Sequence, residues 1–212
     1  MKRELKREQT LRKLIEASRD LIREKGCIQT TMSDIMERSG LSKGAIFHYV
    51  KGKDELFGLV LQSRTEETDR LFKEAVNRRP DFQGPMRAIA SGFPELSDPQ
   101  DVSNRIFRYL LGRSEEPGVG EILARYYEDS VRKSAVWIEQ GQRHGVIPEA
   151  VDANKTGEMF VLLSLGMRLR SGIEGVPNSV TAEDMAEWIA GTLHSQPGTA
   201  SSWPEEEGGN HR

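Results

Sequence analysis

Apolar residues recur three and four positions apart along almost the whole of this chain, and strand-like alternation bounded by turn signals is scarce. That spacing returns side chains to one face of an α-helix, so the expected fold is all-α with about nine helices. The first, about residues 5–25, puts Leu11, Leu14, Ile15, Ser18, Leu21 and Ile22 on one face and stops at Gly26. Thr31 opens the second, with Asp34 three residues on in a capping-box-like pair, and Ser39-Gly40 closes it. A third short helix follows Leu41-Ser42 and ends at Gly52, where Lys53 begins a long fourth that runs to Pro80. Its polar middle, Ser63 to Arg70, is expected to be partly solvent-exposed. Pro85, Pro94, Pro99 and Pro117 break the pattern into shorter helices at about 84–93 and 100–113, and helices at about 118–144, ending at His144-Gly145, 152–173 and 181–195 follow. The Gly, Ser, Glu and Pro of 196–212 read as a disordered tail.

Charge is distributed unevenly. Residues 1–60 carry 13 Lys and Arg against 9 Asp and Glu, a net of +4, whereas residues 61–212 carry a net of −7. A basic head on an acidic body points to a polyanionic partner for the head alone. The first residues are basic but lack the apolar run of a signal peptide, so the protein is expected to start near Met1. The longest apolar run, Met159 to Leu163, is far short of the ~18–20 residues that span a bilayer, and no membrane association is expected. The single cysteine, Cys27, fits a reducing compartment, and the expected location is cytoplasmic.

Two short helices joined by Ser39-Gly40-Leu41-Ser42 are what a helix-turn-helix requires: glycine permits the turn, Leu41 plugs the angle, and the second helix is left to enter a major groove. The run Thr30-Thr31-Met32-Ser33-Asp34-Ile35, followed by Ser39-Gly40-Leu41-Ser42-Lys43-Gly44-Ala45-Ile46-Phe47-His48-Tyr49-Val50-Lys51-Gly52-Lys53-Asp54-Glu55-Leu56, resembles the signature of the TetR family of transcriptional regulators. The resemblance covers roughly residues 10–60. The rest agrees in length, helix count and the Gly145-Val146-Ile147-Pro148 turn. It implies a DNA-binding domain at 1–52, a ligand-binding and dimerisation domain at 53–195, and a ligand-released repressor. The implied partners are a double-stranded inverted-repeat operator, a lipophilic or aromatic small-molecule effector and a second copy of the chain.

The residues implied to meet DNA are Thr31, Ser42, Lys43, Gly44, Phe47, His48, Tyr49 and Lys53. Thr31 can cap its helix or touch phosphate, and Lys43 can reach a guanine edge or a phosphate. Gly44 lets the backbone approach the bases, or simply serves the turn. Phe47 stands where the family commonly has a phosphate-binding tyrosine; it meets a thymine methyl or packs on the bundle, with packing favoured. His48 and Tyr49 form an outward polar pair, open to DNA contact or plain exposure. Lys53 adds its charge to a helix N-terminus, which favours phosphate. Ile35, Ile46, Val50 and Leu56 read as the core of the head.

In the body, aromatic and Met residues at helical spacing are commonly ordinary core. The resemblance nevertheless implies a cavity, with Phe107, Tyr126, Trp137, Met159 and Phe160 as candidate lining and Arg108, Glu139 or Gln140 as polar contacts. The helices at 152–173 and 181–195 resemble the family's dimerisation pair, and the former is apolar nearly all round from Met159 to Leu169. Phe160, Leu163, Met167, Trp188 and Ile189 are the candidate interface residues. No catalytic residue, metal site or cofactor is expected. His48, His144, His194 and His211 lack metal-ligand spacing, and no phosphate-cradling loop or hydrolase nucleophile elbow is read. Cys27 reads as a packed residue in preference to a redox sensor. The alternatives are a ligand-independent or activating regulator and, further off, a helical enzyme.

Overall fold

The computed structural model describes residues 2–176 and 179–194, with side chains from residue 6. The expected tail at 196–212, with His211, lies outside the described residues. The elements are α1 (Lys2–Gln29), α2 (Met32–Ser39), α3 (Lys43–Phe47), α4 (Lys53–Arg78), α5 (Gln83–Ala90), α6 (Phe93–Leu96), α7 (Val102–Leu111), α8 (Val119–Arg143), α9 (Ala153–Arg170) and α10 (Ala182–His194). The described residues are all-α, with nine helices of five or more residues and the single-turn helix α6.

Local chemistry sets the element ends. Gly26, at φ 81° and ψ 170°, interrupts α1 where the chain was expected to stop, and a Cβ there would sit 2.8 Å from Arg105 Nη2. Thr31 and Asp34 form a full capping box on α2, and Gly40 closes that helix in the left-handed conformation at φ 65°. Ser42 caps α3, its Oγ accepting from the Ala45 N–H at 3.3 Å. Asp101 and Asp152 cap α7 and α9 in the same way.

Three apolar clusters organise the packing. Leu14, Leu21, Ile35, Ile46, Val50 and Leu56 form the core of the head, including all four residues expected there. A junction cluster takes the opposite side of α1, with Ile15, Ile22 and Cys27, and joins it to Phe57, Val60 and Leu61 of α4 and to α7 and α8. A third cluster fills the body between α6, α8, α9 and α10. Helices α1 and α4 therefore serve two cores at once.

The α8–α9 pair is the tightest backbone approach. A Cβ at Gly157 would lie 2.9 Å from the Ala135 backbone nitrogen and 3.2 Å from the Ser134 carbonyl carbon. Backbone cannot rotate aside, so Gly157→Ala is expected to cost roughly 1–3 kcal/mol by overpacking. For a chain of this size that lowers the Tm by about 2–4 °C per kcal/mol. A thermal melt unchanged from the parent protein would mean that α8 and α9 separate without penalty.

Candidate nucleic-acid interface and ligand cavity

Helix α3 is anchored by one residue and exposed along the rest. Ile46 is fully buried and Tyr49 half-buried, whereas Ser42, Lys43, Gly44, Phe47 and His48 are exposed. Phe47 is 43% exposed and lies one turn from Lys43, whose Nζ is 5.8 Å from its ring centroid. The favoured expectation that Phe47 packs on the bundle is thus corrected, because one position after the buried Ile46 its side chain is turned about 100° round α3, onto the exposed side. His48 and Tyr49 meet edge to face at 5.3 Å. Around Gly44 there is nothing within 4 Å of a would-be Cβ, so neither turn geometry nor packing within the chain calls for glycine there.

The helix-turn-helix is held by ion pairs on its flanks. Arg38 of α2 donates from both Nη atoms to the Glu24 carboxylate at 2.8 Å. Asp34 is paired with Lys25 at 2.7 Å. The Lys25 ammonium, followed by the Thr31 hydroxyl and backbone N–H, holds the Asp34 carboxyl well below the ordinary carboxylate range. The Thr31 hydroxyl donates to Asp34 at 2.6 Å and accepts from its N–H, which fulfils the capping role and occupies the group expected to be available to phosphate.

Lys53 is placed differently from the expectation. Its Nζ donates to the carbonyls of Cys27 at 3.2 Å and Ile28 at 3.4 Å and stands 5.2 Å from the Tyr109 ring centroid. The carbonyls left over at the interrupted end of α1 capture the ammonium, so Lys53 ties α4 to α1 instead of projecting freely. Cys27 is buried, and that burial raises its thiol to about 11. It stays protonated at neutral pH, in keeping with a packed residue.

Gly40-Leu41-Ser42-Lys43-Gly44 matches the letters Gly-x-Ser-x-Gly, a correspondence the sequence reading passed over. A nucleophile elbow joins a strand to a helix, whereas this segment joins α2 to α3 and Ser42 Oγ is engaged in capping. Among the described residues no group of three or more His, Cys, Asp or Glu can hold a metal ion, and no helix is long and apolar enough to cross a membrane.

The body contains a partly open cavity of about 190 Å³ between α4, α5, α6, α8, α9 and α10. Of the expected lining, Tyr126, Trp137 and Phe160 are there, as is Gln140. Phe107 is packed in the junction cluster instead. Met159 points outward and is 51% exposed, Glu139 lies on a separate groove, and Arg108 bonds Ser171 Oγ and the Pro99 carbonyl. The middle of α4 is only partly exposed as anticipated. Glu66 and Arg70 face solvent, but Arg64, Thr65 and Thr68 line the cavity, and Asp69 accepts from Trp137 Nε1 at 2.9 Å. Arg64 and Arg168 are lining residues that sequence reasoning missed. Arg168 had one signal, a basic side chain within a stretch apolar nearly all round, whereas Arg64 in the polar middle of α4 had none.

The candidate interface residues divide by register. Trp188 is 46% exposed and touches Phe160 edge to face at 6.0 Å. Met167 and Ile189 are buried in the body core, with Phe160 and Leu163 packed against that core. The outward side of α9 is instead Met159, Leu162, Gly166 and Leu169.

Residues 14–60 match the family described as bacterial regulatory proteins, tetR family. The chain is 24% identical over 137 residues to the HTH-type transcriptional regulator YfiR of Bacillus subtilis, covering 62% of this chain and 65% of that protein. It is 34% identical over 95 residues to the HTH-type transcriptional repressor Rv3405c of Mycobacterium tuberculosis, covering 42% and 50%. The matches thus span about half to somewhat under two thirds of those relatives' lengths. In fold, the chain is similar to a TetR-family transcriptional regulator from Rhodococcus sp., with a TM-score of 0.65 at 20% identity over 88% of this chain and all of the other. It is also similar to Salmonella enterica GusR, with a TM-score of 0.58 at 18% identity over 87% and 95%.

Proposed function

We propose that this chain, whose residues 14–60 match the tetR family of bacterial regulatory proteins, is a cytoplasmic, dimeric repressor released from its operator by a small molecule. The observation that carries this reading is α3: five exposed residues, Ser42, Lys43, Gly44, Phe47 and His48, project from a helix anchored by the buried Ile46. Such a helix fits a major groove of about 12 Å, with Lys43 reaching a guanine edge or phosphate and Phe47 free to meet a thymine methyl. A two-fold dimer presents two such helices, so the operator is an inverted repeat with half-sites about 34–36 Å apart. The 1–52 segment is the reading head; 53–195 houses the ligand and the partner subunit. A cavity with aromatic walls in the body favours ligand control over a constitutive DNA-binding role.

Lys43→Ala and Gly44→Ala test the assignment on operator sequences selected from random DNA by the purified protein. Lys43→Ala is expected to lose more affinity for the selected operator than for random DNA, since a good base contact is worth about 1–3 kcal/mol of discrimination. Gly44→Ala is expected to stabilise α3 by roughly 0.5–1 kcal/mol while weakening operator binding, because its methyl meets only open space in the free protein. Fluorescence anisotropy reads the binding and a thermal melt the stability. Parent-like operator affinity in both variants would remove α3 from the interface.

A further inference from the structure

The cavity wall contains one cation whose charge the protein leaves poorly balanced. Arg168 lies on α9 one turn after Ser164, and both line the cavity. Its side chain is only 11% exposed. Nη1 donates to Oδ1 of Asn104 at 2.7 Å, a neutral acceptor. The nearest carboxylate, Asp101, is 4.0 Å away, and its Oδ1 already accepts the Asn104 N–H at 2.9 Å to cap α7. Nε and Nη2 of Arg168 have no hydrogen-bond partner among the described residues, although a guanidinium carries five N–H donors in a planar fork. Arg64, the other arginine of the wall, differs: Glu67 and Glu95 both pair with it.

The acceptor that holds Arg168 is itself firmly set. Asn104 is fully buried, and its Nδ2 donates to the carbonyls of Glu95, Leu96 and Asp98 at 2.7, 3.1 and 2.8 Å. Three carbonyls on one amide nitrogen leave Oδ1 a single direction, toward Arg168. The guanidinium is thus fixed at the cavity wall. Its ion pair with Asp101 is no closer than 4.0 Å, and no buried side-chain nitrogen lacks a partner among the described residues, so the remaining fork donors are served by solvent and are free to take an anion that enters the cavity. A carboxylate matches the fork bidentately.

We propose that the molecule this cavity takes carries a carboxylate that bridges Nε and Nη2 of Arg168, with an apolar body lying along Phe93, Trp137, Phe160 and Met185. This rests on the reading of the cavity as the effector site. Orientation follows from charge: the one carboxylate of the lining, among the described residues, is Asp81, just beyond the C-terminal end of α4, so the anionic end of the ligand sits against α9, at Arg168.

Matched acid and alcohol pairs test this in the full-length protein by titration calorimetry: octanoate against octan-1-ol, and 4-phenylbutyrate against 4-phenylbutan-1-ol. The acid of at least one pair is expected to bind tenfold or more tighter than its alcohol. Arg168→Gln should reduce the acid to the level of the alcohol while changing the affinity of the alcohol less than twofold. Arg168→Lys, which keeps charge but loses the fork, should fall between. Circular-dichroism melts verify folding, and if Arg168→Gln does not fold, the acid-to-alcohol ratio in the parent protein decides. Equal binding of acid and alcohol to the parent, or an acid preference that survives in Arg168→Gln, overturns the carboxylate inference and leaves the cavity reading intact. Binding of no member of either pair at millimolar concentration counts against the cavity reading itself, and the inference falls with it.

Discussion

The Leu162→Asp protein is expected to run as a monomer at micromolar concentration and to bind an inverted-repeat operator about 10²–10⁴-fold more weakly than its parent. The loss is that of avidity, since the second half-site is engaged at high effective concentration only when two heads are joined. On α9, Met159, Leu162, Gly166 and Leu169 recur at spacings of three, four and three on the solvent side. This is the seam spacing by which one helix packs along another. Leu162 is 53% exposed, and Ile173 just beyond the helix 57%. Trp188 on α10, 46% exposed, adds a further exposed apolar side chain next to α9 through its contact with Phe160, and exposed apolar residues recurring along one helix side are the mark of an interaction surface. Gly166, within that seam, lets a partner helix come close. An aspartate at Leu162 places a charge in a face it would have to desolvate, without a counter-ion on the apolar partner face. The monomer fold is expected to survive, because Leu162 contributes to none of the three cores. Sedimentation velocity and anisotropy on the same samples provide the check. A dimer of parent-like operator affinity would move the interface away from the exposed side of α9.

How far the sequence could be read differs between head and body for a physical reason. In the head each ending is made by short-range chemistry: Gly26, the Thr31–Asp34 capping box, Gly40 and Ser42 act within four residues of themselves, so their spacing is visible in the chain. The body is decided by which side of a helix meets which neighbour. Helix α9 is apolar nearly all round, and periodicity alone does not say that Met167 faces the core while Leu162 faces out. Polarity misleads in the same way on α4. Arg64, Thr65 and Thr68 have the pattern of a solvated face, yet they line a cavity whose existence depends on α8 and α9. The same holds for Lys53, where the sequence shows a cation at a helix N-terminus but not the carbonyls of Cys27 and Ile28 that an interrupted α1 turns toward it.

Replacing Tyr109 by phenylalanine or Arg113 by alanine is expected to leave ligand binding to the DNA-free protein unchanged while lowering the mutual antagonism of ligand and operator. Helix α7 lies between α9, which carries Arg168, and the helices α1 and α4 that support the head. On one side Asn104 holds Arg168 at the cavity, and Arg108 donates to Ser171 Oγ at 2.9 Å. On the other, Arg105 donates to the Arg23 carbonyl at 3.3 Å, and the Tyr109 hydroxyl and Arg113 Nη1 converge on Asp54 Oδ1 at 3.1 and 2.7 Å. Burial, with the Asp54 charge added, pushes the Tyr109 phenol up to about 12, so it remains a donor throughout the physiological range. The ring of Tyr109 also lies beside Lys53, which is tied in turn to the end of α1. A ligand that draws on Arg168 therefore acts on the helix that positions the first turn of α4 and, through it, the recognition helix. It can shift the operator equilibrium only by its differential affinity for the two placements of the head. Under the proposed repressor reading the coupling is reciprocal: operator should weaken ligand binding by the factor by which ligand weakens operator binding, typically about 5–150-fold. Cutting the Asp54 contacts should bring that factor toward unity from both directions, and Lys53→Ala, which removes the tie from α4 to the end of α1, should act through the same link. Calorimetric titration of an identified ligand with and without operator measures it. A factor unchanged in Tyr109→Phe and Arg113→Ala would assign transmission to α4 alone, and tighter ligand binding in the presence of operator would make the protein a co-repressed or activating regulator.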